Sequence, residues 1–133
     1  MNIRPVEATV QSLRVNPIHH KWELMFKDTD GHYLPVYQEE YQADLIRKEM
    51  IKPGSVEEGE ITIDGIDFKI DKLKSVIVND LKEGILNTRL TVIQNNEQLK
   101  LNYPAEKAIV LALRKGAPIL MDEKNIKNKS NKG

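Results

Sequence analysis

The sequence contains no cysteine. That excludes a disulfide framework, a thiolate nucleophile, and any zinc or iron–sulfur site held by sulfur. Aromatic residues are scarce, at 5% of the chain, so the core has to be built mainly from aliphatic side chains. Neither sign of charge prevails: 20 Lys and Arg stand against 20 Asp and Glu. No global field therefore draws the chain to nucleic acid or to an anionic bilayer, although a local patch is compatible with this balance. No apolar run is long enough to span a bilayer. The start, Met1-Asn2-Ile3-Arg4-Pro5, is not followed by the apolar stretch of a secretion signal. The expectation is a cytoplasmic protein that does not enter a membrane. There is no H-E-x-x-H and no G-x-x-x-x-G-K-[ST], so neither a zinc-protease helix nor a phosphate loop is predicted.

What is present is organised around one helix. Pro104 suits a first helical position, where a missing N–H costs nothing. Glu106 places an acid in the first turn and Arg114 and Lys115 place bases in the last, both complementing the helix dipole. Gly116 can take the left-handed stop, and Pro118 forbids continuation. Ala108 to Leu113 is apolar all round, which predicts burial on more than one side.

The remaining elements follow from periodicity. Val6, Ala8 and Val10 alternate as a strand, and the apolar phase shifts after Gln11-Ser12 to Leu13 and Val15, which predicts a bulge. Trp22, Leu24 and Phe26 form a second strand, and Asp28-Thr29-Asp30-Gly31 closes a hairpin into a third, His32 to Tyr37. The Asp-x-Asp-Gly run resembles the start of a calcium loop, but the later ligands are missing, so a turn is expected. Pro35 marks that strand as an edge, or as ending there. Gln38 to Ile51 reads as a helix with Ala43, Ile46 and Met50 as its apolar stripe, ended by Pro53-Gly54. Ile61 to Ile70 reads as a tight hairpin turning at Asp64-Gly65. Leu73 to Leu81, Leu86 to Val92, and Leu99 to Leu101 are further strands, with Ile119-Leu120 a short last one. We expect one domain over residues 1–123 and a basic, disordered tail over 124–133.

Strands leading into a helix occur twice. Setting Val36 against Leu101 places Ala43 opposite Ala108 without a gap. This predicts an α+β fold, a mixed or antiparallel sheet with an internal β3α duplication around a buried C-terminal helix. The two units would pack back to back about a pseudo-twofold. The helix starts, Glu39–Gln42 and Pro104–Lys107, would then be the polar ground of greatest interest.

Four segments carry a resemblance to a known family. They are Ile3-Arg4-Pro5-Val6-Glu7, Asp30-Gly31-His32-Tyr33-Leu34-Pro35-Val36, Val78-Asn79-Asp80-Leu81-Lys82-Glu83-Gly84, and Ala108-Ile109-Val110-Leu111-Ala112-Leu113-Arg114-Lys115-Gly116-Ala117-Pro118-Ile119. Together they resemble the bifunctional nuclease domain from about Ile3 to Ile126. The resemblance implies a duplicated α+β fold and cleavage of DNA and RNA. The chain also departs from the family. Where the family carries Arg-Pro-Ser-Asp-Ala, this sequence has Pro104-Ala105-Glu106-Lys107-Ala108. Where it has Trp-Ile-Gly, this sequence has Tyr37-Gln38-Glu39. No His opens a helix between Glu57 and Ser75.

Phosphodiester hydrolysis needs an activated water and charge stabilisation at the phosphoryl oxygens. The catalytic candidates are Glu106 and Lys107 at the helix start, with Asp80 at a strand end. Arg114 and Lys115 are candidates for nucleic-acid contact. A metal ligand set cannot be read, although Mg²⁺ or Mn²⁺ is compatible with the carboxylates. His19-His20 is the only His pair, and strand neighbours point to opposite faces, so a shared metal is not predicted. The alternative to a nuclease is a non-catalytic homo-oligomeric or partner-binding module.

Overall fold

A computed structural model of the chain describes residues 5–18, 20–54, 61–63, 66–68, 72–82, 85–123 and 131–132. The elements in order are β1 (Pro5–Val15), β2 (Trp22–Asp28), β3 (His32–Gln38), α1 (Glu40–Ile51), β4 (Ile61–Ile63) and β5 (Ile66–Phe68). They continue with β6 (Lys72–Lys82), β7 (Ile85–Gln94), β8 (Glu97–Asn102), α2 (Ala105–Lys115), β9 (Ile119–Asp122) and β10 (Asn131–Lys132). Eight strands form one sheet in the order β10-β3-β2-β1-β9-β6-β7-β8, and β4-β5 make a separate ribbon. The fold is therefore α+β with a mixed sheet, as expected.

Two meanders, β1-β2-β3 and β6-β7-β8, each lead into a helix. They do not lie back to back. One continuous sheet holds both, because β9 joins them, antiparallel to β1 and parallel to β6. The short last strand read at Ile119-Leu120 runs on to Asp122 and is central in the sheet. Its Ile119 and Met121 are buried in the core, which is how a short apolar run reads when neighbours flank it. The element order agrees with the β3α repeat; the duplication itself is not confirmed by it.

Both helices pack on this sheet and on each other, α1 over β2 and α2 over β6 and β7. A single apolar cluster joins Leu24 and Phe26, Leu34 and Val36, Val76 and Val78, Leu90 and Val92 to Ile46 and to Ala108–Ala112. Five consecutive residues of α2, Ala108 to Ala112, are buried. The sheet covers one side of the helix and α1 another, which explains an apolar run with no polar face. Pro104 is the N-cap of α2 rather than its first helical residue, and Gly116 is the left-handed C-cap at φ 66°. Gly116→Ala is expected to lower stability by about 1–2 kcal/mol, the cost of a side chain in that conformation, measured by urea denaturation.

The bulge falls where the apolar phase shifts, between Val10 and Ser12. The β2–β3 turn is held from within by Asp28. Its Oδ1 accepts the N–H of Asp30 at 3.0 Å and of His32 at 2.8 Å, and its Oδ2 lies 3.0 Å from His32 Nδ1. Burial pushes the Asp28 carboxyl up, but the hydrogen bonds and the charge from His32, with the Asp30 amide, outweigh it and hold the group below the ordinary value of 3.8. Asp28→Ala strands both turn amides. It is expected to cost about 1–3 kcal/mol, read as a lower thermal midpoint.

The α1 stripe differs from expectation at its last member. Ala43 and Ile46 are buried, but the third inward residue is Glu49, and Met50 is 39% exposed. Glu49 is held by a cation from α2, so its position was hidden from an apolar-periodicity reading. The hairpin of β4 and β5 pairs Ile63 with Ile66 as predicted; its Asp64-Gly65 turn lies outside the described residues. Within the expected tail, Asn131 and Lys132 pair with Tyr33 and His32, and 124–130 and 133 lie outside the described residues.

Candidate active site

The two helix starts meet. α1 begins one residue after β3 ends, with Glu39 as N-cap. Gln42, in the first turn, uses both ends of its amide. Its Oε1 accepts the Glu39 backbone N–H at 2.8 Å, and its Nε2 donates to Glu106 Oε2 at 3.1 Å. Because a backbone donor fixes the oxygen end, the amide must present its N–H₂ to Glu106. Glu106 is the second residue of α2 and is only 8% exposed. A first-turn carboxylate there gains from the helix dipole while Gln42 orients it.

Tyr103 completes this junction. Its N–H donates to the Thr88 carbonyl at 3.0 Å, which anchors the entry to α2 on β7. Burial raises the Tyr103 phenol above the ordinary value of 10.0, and the Glu106 charge raises it further. Tyr103 thus stays a neutral O–H beside a buried carboxylate. Lys107, the next residue along α2, is exposed.

Asp80 belongs to the same end of the sheet. β8 ends at Asn102, level with Arg89 of β7 and hence Ile77 of β6, whereas Asp80 pairs with Leu86. Its backbone lies three residues beyond that level, about 10 Å along the strand.

Three buried side-chain oxygens lack a hydrogen-bond partner among the described residues: Gln38 Oε1, Asn79 Oδ1 and Thr88 Oγ1. Gln38 precedes the α1 cap, Asn79 precedes Asp80, and Thr88 carries the Tyr103 anchor. Unpartnered buried polar atoms are rare in folded chains and call for a reason. Sequence reasoning included Gln42 in the Glu39–Gln42 helix start without giving it a role, and missed Tyr103 and Gln38. The Glu-x-x-Gln spacing from Glu39 to Gln42 was the available signal, as a capping pair.

The other candidates lie elsewhere. Arg114 is eight residues along α2 from Glu106, about 12 Å. Its Nε donates to Glu49 Oε1 at 2.9 Å, across the interface with α1. Lys115 is exposed at that same far end. His20 has φ 55° and donates its N–H to the Asn16 carbonyl; His19 lies outside the described residues. Among the described residues one triple has metal-ligand spacing, Asp28, Asp30 and His32. It sits at the opposite end of β3 from Gln38, about 20 Å away, and the Asp28 carboxylate and His32 Nδ1 already bond to each other in the turn.

No helix among the described residues is long and apolar enough to cross a membrane. Comparison with family models finds a match to the one described as Bifunctional nuclease domain, over residues 24–132. Comparison with curated proteins finds no match.

Proposed function

We propose, from the premise that this chain belongs to the bifunctional nuclease domain family, that it hydrolyses phosphodiester bonds of DNA or RNA where its two helix starts meet. The observation that carries this reading is the hydrogen bond from Gln42 to the buried Glu106. It fixes one carboxylate next to a neutral phenol and an exposed lysine.

Each residue has a task suited to its chemistry. Glu106 accepts the proton of the attacking water, and Gln42 keeps its carboxylate aimed. Tyr103 holds a donatable proton beside it. Lys107 offers a cation to the phosphoryl oxygens as charge builds there. Asp80 is the further carboxylate-bearing residue at this end of the sheet, and oxygen donors of this kind suit Mg²⁺ or Mn²⁺. Lys115, at the far end of α2, is the remaining candidate for a contact with the nucleic-acid backbone.

The test is incubation of the purified protein with single-stranded and duplex DNA and RNA, with Mg²⁺, with Mn²⁺ and with chelator. Cleavage that is lost in Glu106→Gln supports the reading. No cleavage of any substrate under any of these conditions rejects it.

A non-catalytic oligomeric module is the second reading. It is favoured by the outer edge of β8, which pairs only with β7 among the described residues and offers its backbone groups to another strand. Light scattering decides it: a mass of one chain at all concentrations removes this reading.

A further inference from the structure

The β2–β3 turn brings one nitrogen donor and two carboxylates to a single point. Asp28 ends β2, His32 begins β3, and Asp30 lies between them. One ligand atom from each of the three lies within 4.8 Å of the other two. Their exposure is graded. The Asp28 side chain is 1% exposed and that of His32 15%, while Asp30 is exposed. A small solute therefore reaches this point from the Asp30 side.

The hydrogen bonds of the turn leave ligand capacity unused. Asp28 Oδ1 is filled by the N–H groups of Asp30 and His32. Asp28 Oδ2 takes only the contact with His32 Nδ1 at 3.0 Å. A carboxylate oxygen has two lone pairs, so Oδ2 keeps one free. The Asp30 carboxylate accepts no hydrogen bond among the described residues. What joins Asp28 to His32 is one proton. Without it, Nδ1 and Oδ2 present lone pairs to each other across 3.0 Å. A zinc ion sits about 2.0–2.2 Å from such atoms, and two ligands of a tetrahedral ion are then about 3.4 Å apart. The pair has only to part by a few tenths of an ångström. The exposed Asp30 can swing in as the third ligand.

We propose that Asp28, Asp30 and His32 form a site for one divalent transition ion of the zinc class, with the ion taking the place of the proton between His32 Nδ1 and Asp28 Oδ2. The donor set decides the class of ion. An imidazole suits zinc and its transition-metal neighbours, whereas Ca²⁺ takes six to eight oxygens and Mg²⁺ favours oxygen ligands and its own waters. Three protein ligands leave one tetrahedral position for water. Bound there, the ion ties the end of β2 to the start of β3. The site stands at the opposite end of β3 from Gln38, about 20 Å away, and does not rest on the nuclease reading above.

The experiment titrates the full, metal-stripped chain with Zn²⁺ and with Co²⁺. One Zn²⁺ per chain is expected by calorimetry, with a raised thermal midpoint, because an ion that binds only the folded chain stabilises it. Co²⁺ is expected to give visible absorption that Zn²⁺ abolishes, and a large excess of Ca²⁺ or Mg²⁺ should displace neither ion. Long-range proton–nitrogen spectra should show the His32 Nδ1 metallated and its Nε2 carrying the proton. Even groups that only orient a ligand are worth about 10- to 100-fold in metal affinity. His32→Gln should therefore cost at least about 100-fold, and Asp30→Asn at least about tenfold. Asp30→Asn removes no hydrogen bond from the turn, since only the backbone N–H of Asp30 serves it, so its loss of binding is not a loss of folding. His20→Ala, the control for a surface imidazole, should change nothing. No binding of Zn²⁺, binding undiminished in either His32→Gln or Asp30→Asn, binding lost in His20→Ala, or an ion on Nε2 overturns the proposal.

Discussion

Arg114→Ala should lower the stability of this protein by about 3–5 kcal/mol, because it leaves a carboxylate buried without its cation. Glu49 carries the case. Its side chain is fully buried, and it accepts the Arg114 Nε–H at 2.9 Å and the Gly54 N–H at 2.8 and 2.9 Å. Burial pushes its carboxyl up, but the Arg114 and Gly54 hydrogen bonds and the guanidinium charge together outweigh burial and hold it below 4.5. A carboxyl lowered on folding gives stability that is present above its unfolded value and lost as the pH falls through the folded one. The wild type should therefore lose stability below about pH 4.5, and Arg114→Ala should already have lost most of that increment at neutral pH. Glu49→Leu combined with Arg114→Leu should recover much of the loss, since a buried pair replaced by apolar residues is often nearly neutral. Thermal melts of the single and double variants across pH measure all of this. A single variant that melts with the wild type would show the pair to be unimportant.

Glu106→Gln should cut the single-turnover cleavage rate at least about 100-fold, the lower range for a residue that moves a proton in the transition state. The amide keeps the shape of the side chain and can still accept from Gln42. The stability change should stay within about 1 kcal/mol, the usual worth of a first-turn charge at a helix dipole. On the proposed reading the two effects separate: Arg114, at the far end of the same helix, serves folding, and Glu106 serves chemistry. A Glu106→Gln variant that cleaves at the wild-type rate would move the site elsewhere.

Much of this fold could be read from residue patterns, and the reasons differ by element. α2 was legible because both ends are marked and its interior is wholly apolar. The β1 bulge was legible because side-chain phase must flip when a residue is inserted. The Asp28 turn was legible because Asp and Gly are what a tight turn needs. The central place of β9 was not, since four residues after a proline say nothing about their neighbours, and pairing with β1 and β6 is a long-range fact. The burial of Glu49 in place of Met50 was not legible, because charge normally marks a solvent face and its partner Arg114 is 65 residues away. The candidate site was half legible. The two helix starts could be named as polar ground, and Glu106 with them. That Gln42 would reach Glu106 across 64 residues of sequence could not be named, because it depends on how the helices cross.

The central claim is that the working surface lies where α1 and α2 begin. The most direct measurement is amide chemical-shift mapping of the isotope-labelled chain during titration with a single-stranded oligonucleotide in chelator. The account predicts that the perturbed amides gather in Lys21–Trp22, Tyr37–Gln42 and Tyr103–Lys107. Perturbations gathered instead around Arg114 and Lys115, or along β8, would contradict it.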